Sequence, residues 1–256
     1  MLSEDQVAQF VRDGFVTLRG AVPAELVERC RSELWGAVRT AAGCERDDPA
    51  TWSAPVVRLD QLTTESARAA ANRPVLHEAF DQLVGKGRWR PRGSLGTWPV
   101  RFPSEEEPGD DGWHLEASFA GDAGEGRVNL RSRGRALLML FLFSDIGPDD
   151  APTRIRVGSH LDVPPLLADA GEEGREWFEL CGDAVPASEG RSEALATGSP
   201  GDVFLCHPFL VHAAQPHRGT VPRFMAQPPL EPTGELDLSG ADPTPVEQAV
   251  LAGLAE

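Results

Sequence analysis

Residues 201–230 read GDVFLCHPFLVHAAQPHRGTVPRFMAQPPL, three histidines and two arginines set in an apolar run. The period is that of a strand: Val203, Leu205, His207, Phe209 and Val211 fall on one face, Phe204, Cys206, Pro208, Leu210 and His212 on the other. His212 thereby comes to the end of a buried strand, where an imidazole points inward yet stays within reach of a ligand. Arg223 follows eleven residues later, past the turn-like His217, Arg218, Gly219 and Thr220. A guanidinium among Val221, Pro222, Phe224 and Met225 calls for an anionic partner, because an unpaired buried charge is very costly. Alone, the stretch is equally readable as a core hairpin with surface histidines. The residues that decide lie far upstream.

There, in WHLEASF (113–119), His114 and Glu116 stand two apart, so on a strand both side chains leave the same face. With His212 they offer two imidazoles and one carboxylate. That donor set occupies one face of an octahedral metal, leaves three positions open, and suits non-haem iron(II) oxygenases. The open positions take a bidentate co-substrate and dioxygen. A dicarboxylate co-substrate also needs a planar cationic fork for its far end, which Arg223 would supply.

The set H-x-[D/E], a distal His and an Arg eleven residues beyond resembles the phytanoyl-CoA dioxygenase family of Fe(II)/2-oxoglutarate oxygenases. DQVAQFVRDGFVTLRGAVP (5–23), TRIRVGSH (153–160) and GDVFLCHPFLVHAAQPHRGTVPRF (201–224) agree with it in order and spacing, from Asp5 to Phe224. The resemblance implies iron ligands His114, Glu116 and His212, with Arg223 gripping the C5 carboxylate of 2-oxoglutarate. It also implies Trp98 and Leu140 as lining of the co-substrate pocket. Two positions depart from the family pattern. Glu116 replaces the usual Asp and reaches roughly 1.5 Å further. Ala214 stands two after the distal histidine, where a hydroxyl residue is usual; Thr97 or Thr220 would have to replace that contact.

The implied cofactors are Fe(II), 2-oxoglutarate as co-substrate and O2. The implied reaction is oxidation, in the first place hydroxylation, of a small-molecule metabolite, with 2-oxoglutarate and O2 converted to succinate and CO2. Desaturation, ring formation and epimerisation draw on the same chemistry, whereas a carboxylate at 116 disfavours halogenation. Two other readings stand beside this one. A catalytically inactive cupin-like small-molecule binding protein would keep the barrel without turnover. A zinc hydrolase also uses two His and one Glu, but leaves Arg223 without a partner.

The remaining sequence reads as one domain over 1–256, mainly β with flanking helices, around a double-stranded β-helix (jelly roll, cupin-like) core. Residues 1–92 form a helical jacket with short strands: helices from Ser3 to Asp13, Ala24 to Ala42, and Thr64 to Val84 with a break at Arg73-Pro74. Residues 93–230 form the jelly-roll core that carries the metal site, with Ala136–Phe143 a strand buried on both faces and Asp169–Leu180 a helical excursion. Residues 231–256 read as a surface tail with a short helix from Pro245. SEEEPGDDG (104–112) reads as a solvated acidic turn, and His77, His160 and His207 as structural histidines.

A net charge of −16 argues against nucleic acid or an anionic membrane as partner. The longest apolar run, Ala136 to Phe143, is too short to span a bilayer. Four cysteines without CxxC spacing and an N-terminus without an apolar signal region point to a cytoplasmic, reducing setting. Two basic clusters, Arg88/Arg90/Arg92 and Arg131/Arg133/Arg135, either receive an anionic substrate or pair with surface carboxylates. Nothing in the sequence speaks to oligomeric state.

Overall fold

The computed structural model describes residues 1–255. The first helix, α1 (Glu4–Asp13), is opened by a capping box between Ser3 and Gln6 and closed by Gly14 in the left-handed region. β1 (Phe15–Leu18), α2 (Ala24–Ala42) and β2 (Val56–Leu59) follow. α3 (Glu65–Ala71) and α4 (Pro74–Leu83) are split where Pro74 enters at a first helical turn. The β-rich part comprises β3 (Trp98–Arg101), β4 (Phe119–Ala120), β5 (Gly126–Val128), β6 (Leu137–Leu142) and β7 (Arg154–Arg156). Next come α5 (Pro164–Leu167), β8 (Arg175–Glu176), α6 (Trp177–Ala187) and β9 (Glu193–Leu195), then β10 (Val203–Cys206), β11 (His212–Ala213), β12 (Met225–Ala226), β13 (Pro229–Leu230) and α7 (Pro245–Ala255).

Two antiparallel sheets face each other. The larger runs β1-β10-β6-β12, with β13 also on β6; the smaller runs β11-β7-β9. All six residues of β6 are buried, and its two faces serve different cores. Leu138, Leu140 and Leu142 meet Phe204, Cys206 and Met225 of the same sheet and Ile155 and Leu210 of the other side, filling the space between the sheets. Leu137, Met139 and Phe141 turn outward to the helical layer, where Phe10, Leu34, Leu76 and Phe80 cover them. Each such side chain contributes about 1.5–3 kcal/mol on leaving water. This is the jelly roll with helices on one sheet that the sequence predicts.

Three expectations need correction. Residues 203–212 are not one strand: β10 ends at Cys206, the chain turns through His207–Leu210, and β11 starts at His212 in the opposite sheet. Pro208 has no N–H to continue the ladder. The alternation survives the turn, since Phe209 and Val211 join the outer core with Val203 and Leu205, while Leu210 joins the inner one with Phe204 and Cys206. The helix expected over Asp169–Leu180 begins only at Trp177, because Gly171 and Gly174 at φ +64 and +65 keep the preceding residues in turns. Finally, the stretch read as a surface tail is anchored. α7 buries Val246, Ala249 and Val250 against α1 and α5, and the buried Glu247 receives the Arg88 fork at 2.5 and 3.2 Å, plus the N–H groups of Asp237 and Thr244. The acidic composition of the stretch conceals this, because its key carboxylate is paired inside.

Candidate metal centre and active-site cavity

His114 and His212 are brought together by the backbone itself. Each donates its N–H to the other's carbonyl, at 2.9 and 2.8 Å, so they are opposed residues of one antiparallel bridge with rings 4.5 Å apart. His114 sits on this isolated bridge rather than on the strand that the sequence suggests, and Glu116 follows in irregular backbone. The three side chains still converge, with one donor atom from each within 4.8 Å of the others and Glu116 Oε1 3.5 Å from His212 Nε2.

Both imidazoles are held in the tautomer a metal requires. His114 Nδ1 lies 2.8 Å from Gly112 O, and His212 Nδ1 lies 3.0 Å from Leu210 O. A carbonyl only accepts, so each Nδ1 carries a proton and Nε2 is the nitrogen left to bind a metal. Burial, and then the nearby His212 ring, push the His114 pKa down and favour the neutral, ligating form. Burial raises the Glu116 carboxyl, but the contact with His212 and the charge of Arg135 outweigh it and hold the group at about 2. Arg135, known from the sequence only as a member of a basic cluster, is the partner here: its Nη2 lies 3.5 Å from Glu116 Oε2 and its Nε donates to Ala117 O at 3.1 Å. Two imidazoles beside a carboxylate form a donor set that fits a divalent cation.

The three residues open on a cavity of about 730 Å³ that also takes in Arg223, Thr97 and Ala214. Arg223 is buried, with Nη1 donating to Ala151 O at 2.6 Å and Nη2 to Pro99 O at 3.1 Å. Burial and the adjacent Arg101 charge both disfavour its charged form, a cost that an incoming anion would offset. Trp98 and Leu140 do not line this cavity. Thr97, just before β3, and Pro99 and Arg101 on it face the cavity, while Trp98 turns to the core and packs on Phe143 with rings 4.8 Å apart. Leu140 lies in the inner core between the sheets. Thr220 is exposed and also off the wall, whereas Thr97 is on it.

The other residues singled out from the sequence fall into place around this cavity. His160 and His207 are buried and bonded to Val11 O and Val246 O, as expected of structural histidines. His77 packs on Trp89. The last member of each basic cluster, Arg92 and Arg135, reaches the cavity, while Arg88 serves α7. The acidic turn is not merely solvated, since Asp110 binds Arg101 at 2.7 Å and also pairs with Arg58. Trp177, at the start of α6, closes one wall edge-on to His114, and Phe178 beside it is exposed at the rim. Arg101 could have been found from sequence, because it is a charge in an apolar run just as Arg223 is.

A family model described as phytanoyl-CoA dioxygenase (PhyH) matches residues 10–225. No curated protein sequence matches the chain significantly. Among solved structures, HygX from Streptomyces hygroscopicus with nickel and 2-oxoglutarate bound superposes with a TM-score of 0.60 at 20% identity, covering 93% of this chain and 90% of that one. The epimerase SnoN of nogalamycin biosynthesis, in complex with Fe3+, alpha ketoglutarate and nogalamycin RO, gives 0.58 at 18% identity, over 94% and 92%. At these identities the likeness establishes the shared fold. The family match over most of the length establishes kinship: the chain belongs to the phytanoyl-CoA dioxygenase family, the non-haem iron, 2-oxoglutarate-dependent oxygenases.

Proposed function

We propose that His114, Glu116 and His212 hold iron(II), that Arg223 receives the C5 carboxylate of 2-oxoglutarate, and that the chain hydroxylates a small-molecule metabolite. The observation that carries this reading is the convergence of two imidazoles and one carboxylate on the wall of a cavity that also contains a buried arginine. When bound, iron and 2-oxoglutarate supply the activation of dioxygen and the oxidation of a C–H bond, releasing succinate and CO2.

The chain's own residues provide the setting. The paired backbone of His114 and His212 fixes two ligands rigidly, and the carbonyls of Gly112 and Leu210 hold their tautomers. Arg135, 3.5 Å from Glu116 Oε2, orients one of the carboxylate oxygens. Arg223 orients the co-substrate from the far end. Trp177 and the apolar rim at Phe178 shield the centre from water and offer an apolar surface to the substrate. The cavity suits a metabolite rather than a folded protein segment, in keeping with HygX bound to hygromycin B and SnoN bound to nogalamycin RO. No helix among the described residues is long and apolar enough to cross a membrane. The four free cysteines fit a cytoplasmic, reducing location, and the net charge of −16 disfavours nucleic acid as partner.

The test is anaerobic titration of apo-protein with Fe(II) and then 2-oxoglutarate, watching for the weak visible metal-to-ligand charge-transfer band. The band is expected for the wild type, weakened in Arg223→Ala and absent in His212→Ala, which should also abolish succinate formation. Unchanged succinate production by His212→Ala would overturn the ligand assignment.

A further inference from the structure

Arg101 and Arg223 are opposed residues of a second backbone bridge, each N–H donating to the other's carbonyl at 3.1 and 2.8 Å. Opposed residues of such a pair send their side chains to the same face. Both are almost fully buried, at 2% and 1% exposure, and both line the cavity. Two guanidiniums buried side by side repel each other, and neither can lose its charge cheaply.

Their hydrogen bonds are incomplete in a particular way. Arg223 spends Nη1 and Nη2 on Ala151 O and Pro99 O, leaving Nε without a partner. Arg101 spends only Nη2, on Asp110, leaving Nε and Nη1 without partners. Asp110 is itself shared with Arg58. Among the described residues, three guanidiniums therefore share one carboxylate, and the buried pair lacks acceptors at three nitrogens. One planar anion with two oxygens would supply both the charge and the acceptors.

We propose that Arg101 and Arg223 form a two-arginine seat for the distal carboxylate of 2-oxoglutarate, with Arg101 supplying the contact that Ala214, lacking a hydroxyl, cannot make. The inference rests on the co-substrate reading above and adds a recognition residue to it. Arg101 then acts on affinity and selectivity for a dicarboxylic oxo acid, not on the metal.

The experiment is calorimetry on Ni(II)-loaded protein with 2-oxoglutarate and with 2-oxovalerate, which carries a methyl group in place of the distal carboxylate. Hydrogen bonds to a charged group support an expected loss of about 10- to 100-fold in 2-oxoglutarate affinity for Arg101→Gln, with 2-oxovalerate changed by less than about 2-fold. Arg101→Lys, which keeps the charge but not the fork, should recover only part of the loss. Equal losses for both ligands, or no loss, would overturn the seat. Should Arg101→Gln fail to fold, the wild-type complex with Ni(II) and 2-oxoglutarate decides. Arg101 Nε or Nη1 within hydrogen-bond distance of a C5 oxygen supports the seat, and a C5 carboxylate on Arg223 alone overturns it. A wild type that binds neither oxo acid refutes the co-substrate reading itself, a distinct outcome.

Discussion

Replacing Glu116 by Asp puts the family's usual ligand into this backbone, and it should nonetheless weaken iron binding. Glu116 Oε1 lies 3.5 Å from His212 Nε2, and Oε2 lies 3.5 Å from Arg135 Nη2. Removing one methylene withdraws the carboxylate by roughly 1.5 Å, which leaves both neighbours roughly 5 Å away if the backbone holds. The backbone is held: His114, two residues earlier, is locked by its bridge to His212, and Leu115 O accepts the Trp177 indole N–H. The shortened side chain thus loses its orienting arginine and its place beside the second imidazole. Removing an outer partner of a ligating group typically costs 10- to 100-fold in metal affinity, so Glu116→Asp should bind Fe(II) about 10- to 100-fold more weakly than wild type. The assay is an anaerobic Fe(II) titration against a chelating indicator, with a thermal melt to confirm the fold. Wild-type or tighter binding by Glu116→Asp would refute the reasoning, showing that the backbone moves to suit the ligand.

Acid should destabilise the protein in two separate windows. Burial lowers His160 from 6.5 to about 4, so the stability it contributes as a neutral ring is full above pH 6.5 and is lost as pH falls towards 4; a wild-type melting temperature flat over that range would contradict this. Glu247 is held at about 2 because the Arg88 fork and backbone donors outweigh burial, so its share is full above pH 4.5 and lost as pH falls towards 2. Glu247→Gln should cost about 2–3 kcal/mol at pH 7 in urea unfolding, below the full value of the shift because Arg88 is one-third exposed and screened. Leu140→Ala should cost about 2–5 kcal/mol while leaving 2-oxoglutarate affinity of the folded fraction unchanged, and a selective loss of affinity would return Leu140 to the pocket wall. Gly174→Ala should lower the melting temperature, because φ is +65 and a Cβ there meets the Val128 carbonyl; an unchanged melt would show that this turn relaxes freely.

The fold was legible wherever period and capping spoke with one voice. The alternation in 203–212 assigned Val203, Leu205, Phe209 and Val211 to one core and Phe204, Cys206 and Leu210 to the other correctly, although the chain changes sheets midway, because the two-residue period is blind to a turn that preserves facing. His114, Glu116 and His212 could be grouped in advance because their types and spacing suit one kind of metal chemistry. Trp98 and Leu140 were carried by resemblance alone, and a one-residue difference in which side of β3 faces the cavity sufficed to misplace Trp98. Arg135 and Asp110 stayed hidden because each sits in a charged surface-like segment. Which member of such a segment turns inward depends on tertiary packing, not on local composition.

Asp110 and His114 lie four residues apart on one loop, and Gly112 between them accepts the His114 Nδ1 proton. The same short segment thus carries one end of the arginine network and one member of the candidate metal centre. On the proposed reading, iron at His114 and 2-oxoglutarate at Arg101 would sit at the two ends of this one paired segment, so a displacement at either end bears on the other. Whatever the factor by which one changes the affinity for the other, the reverse factor is the same, as reciprocity demands.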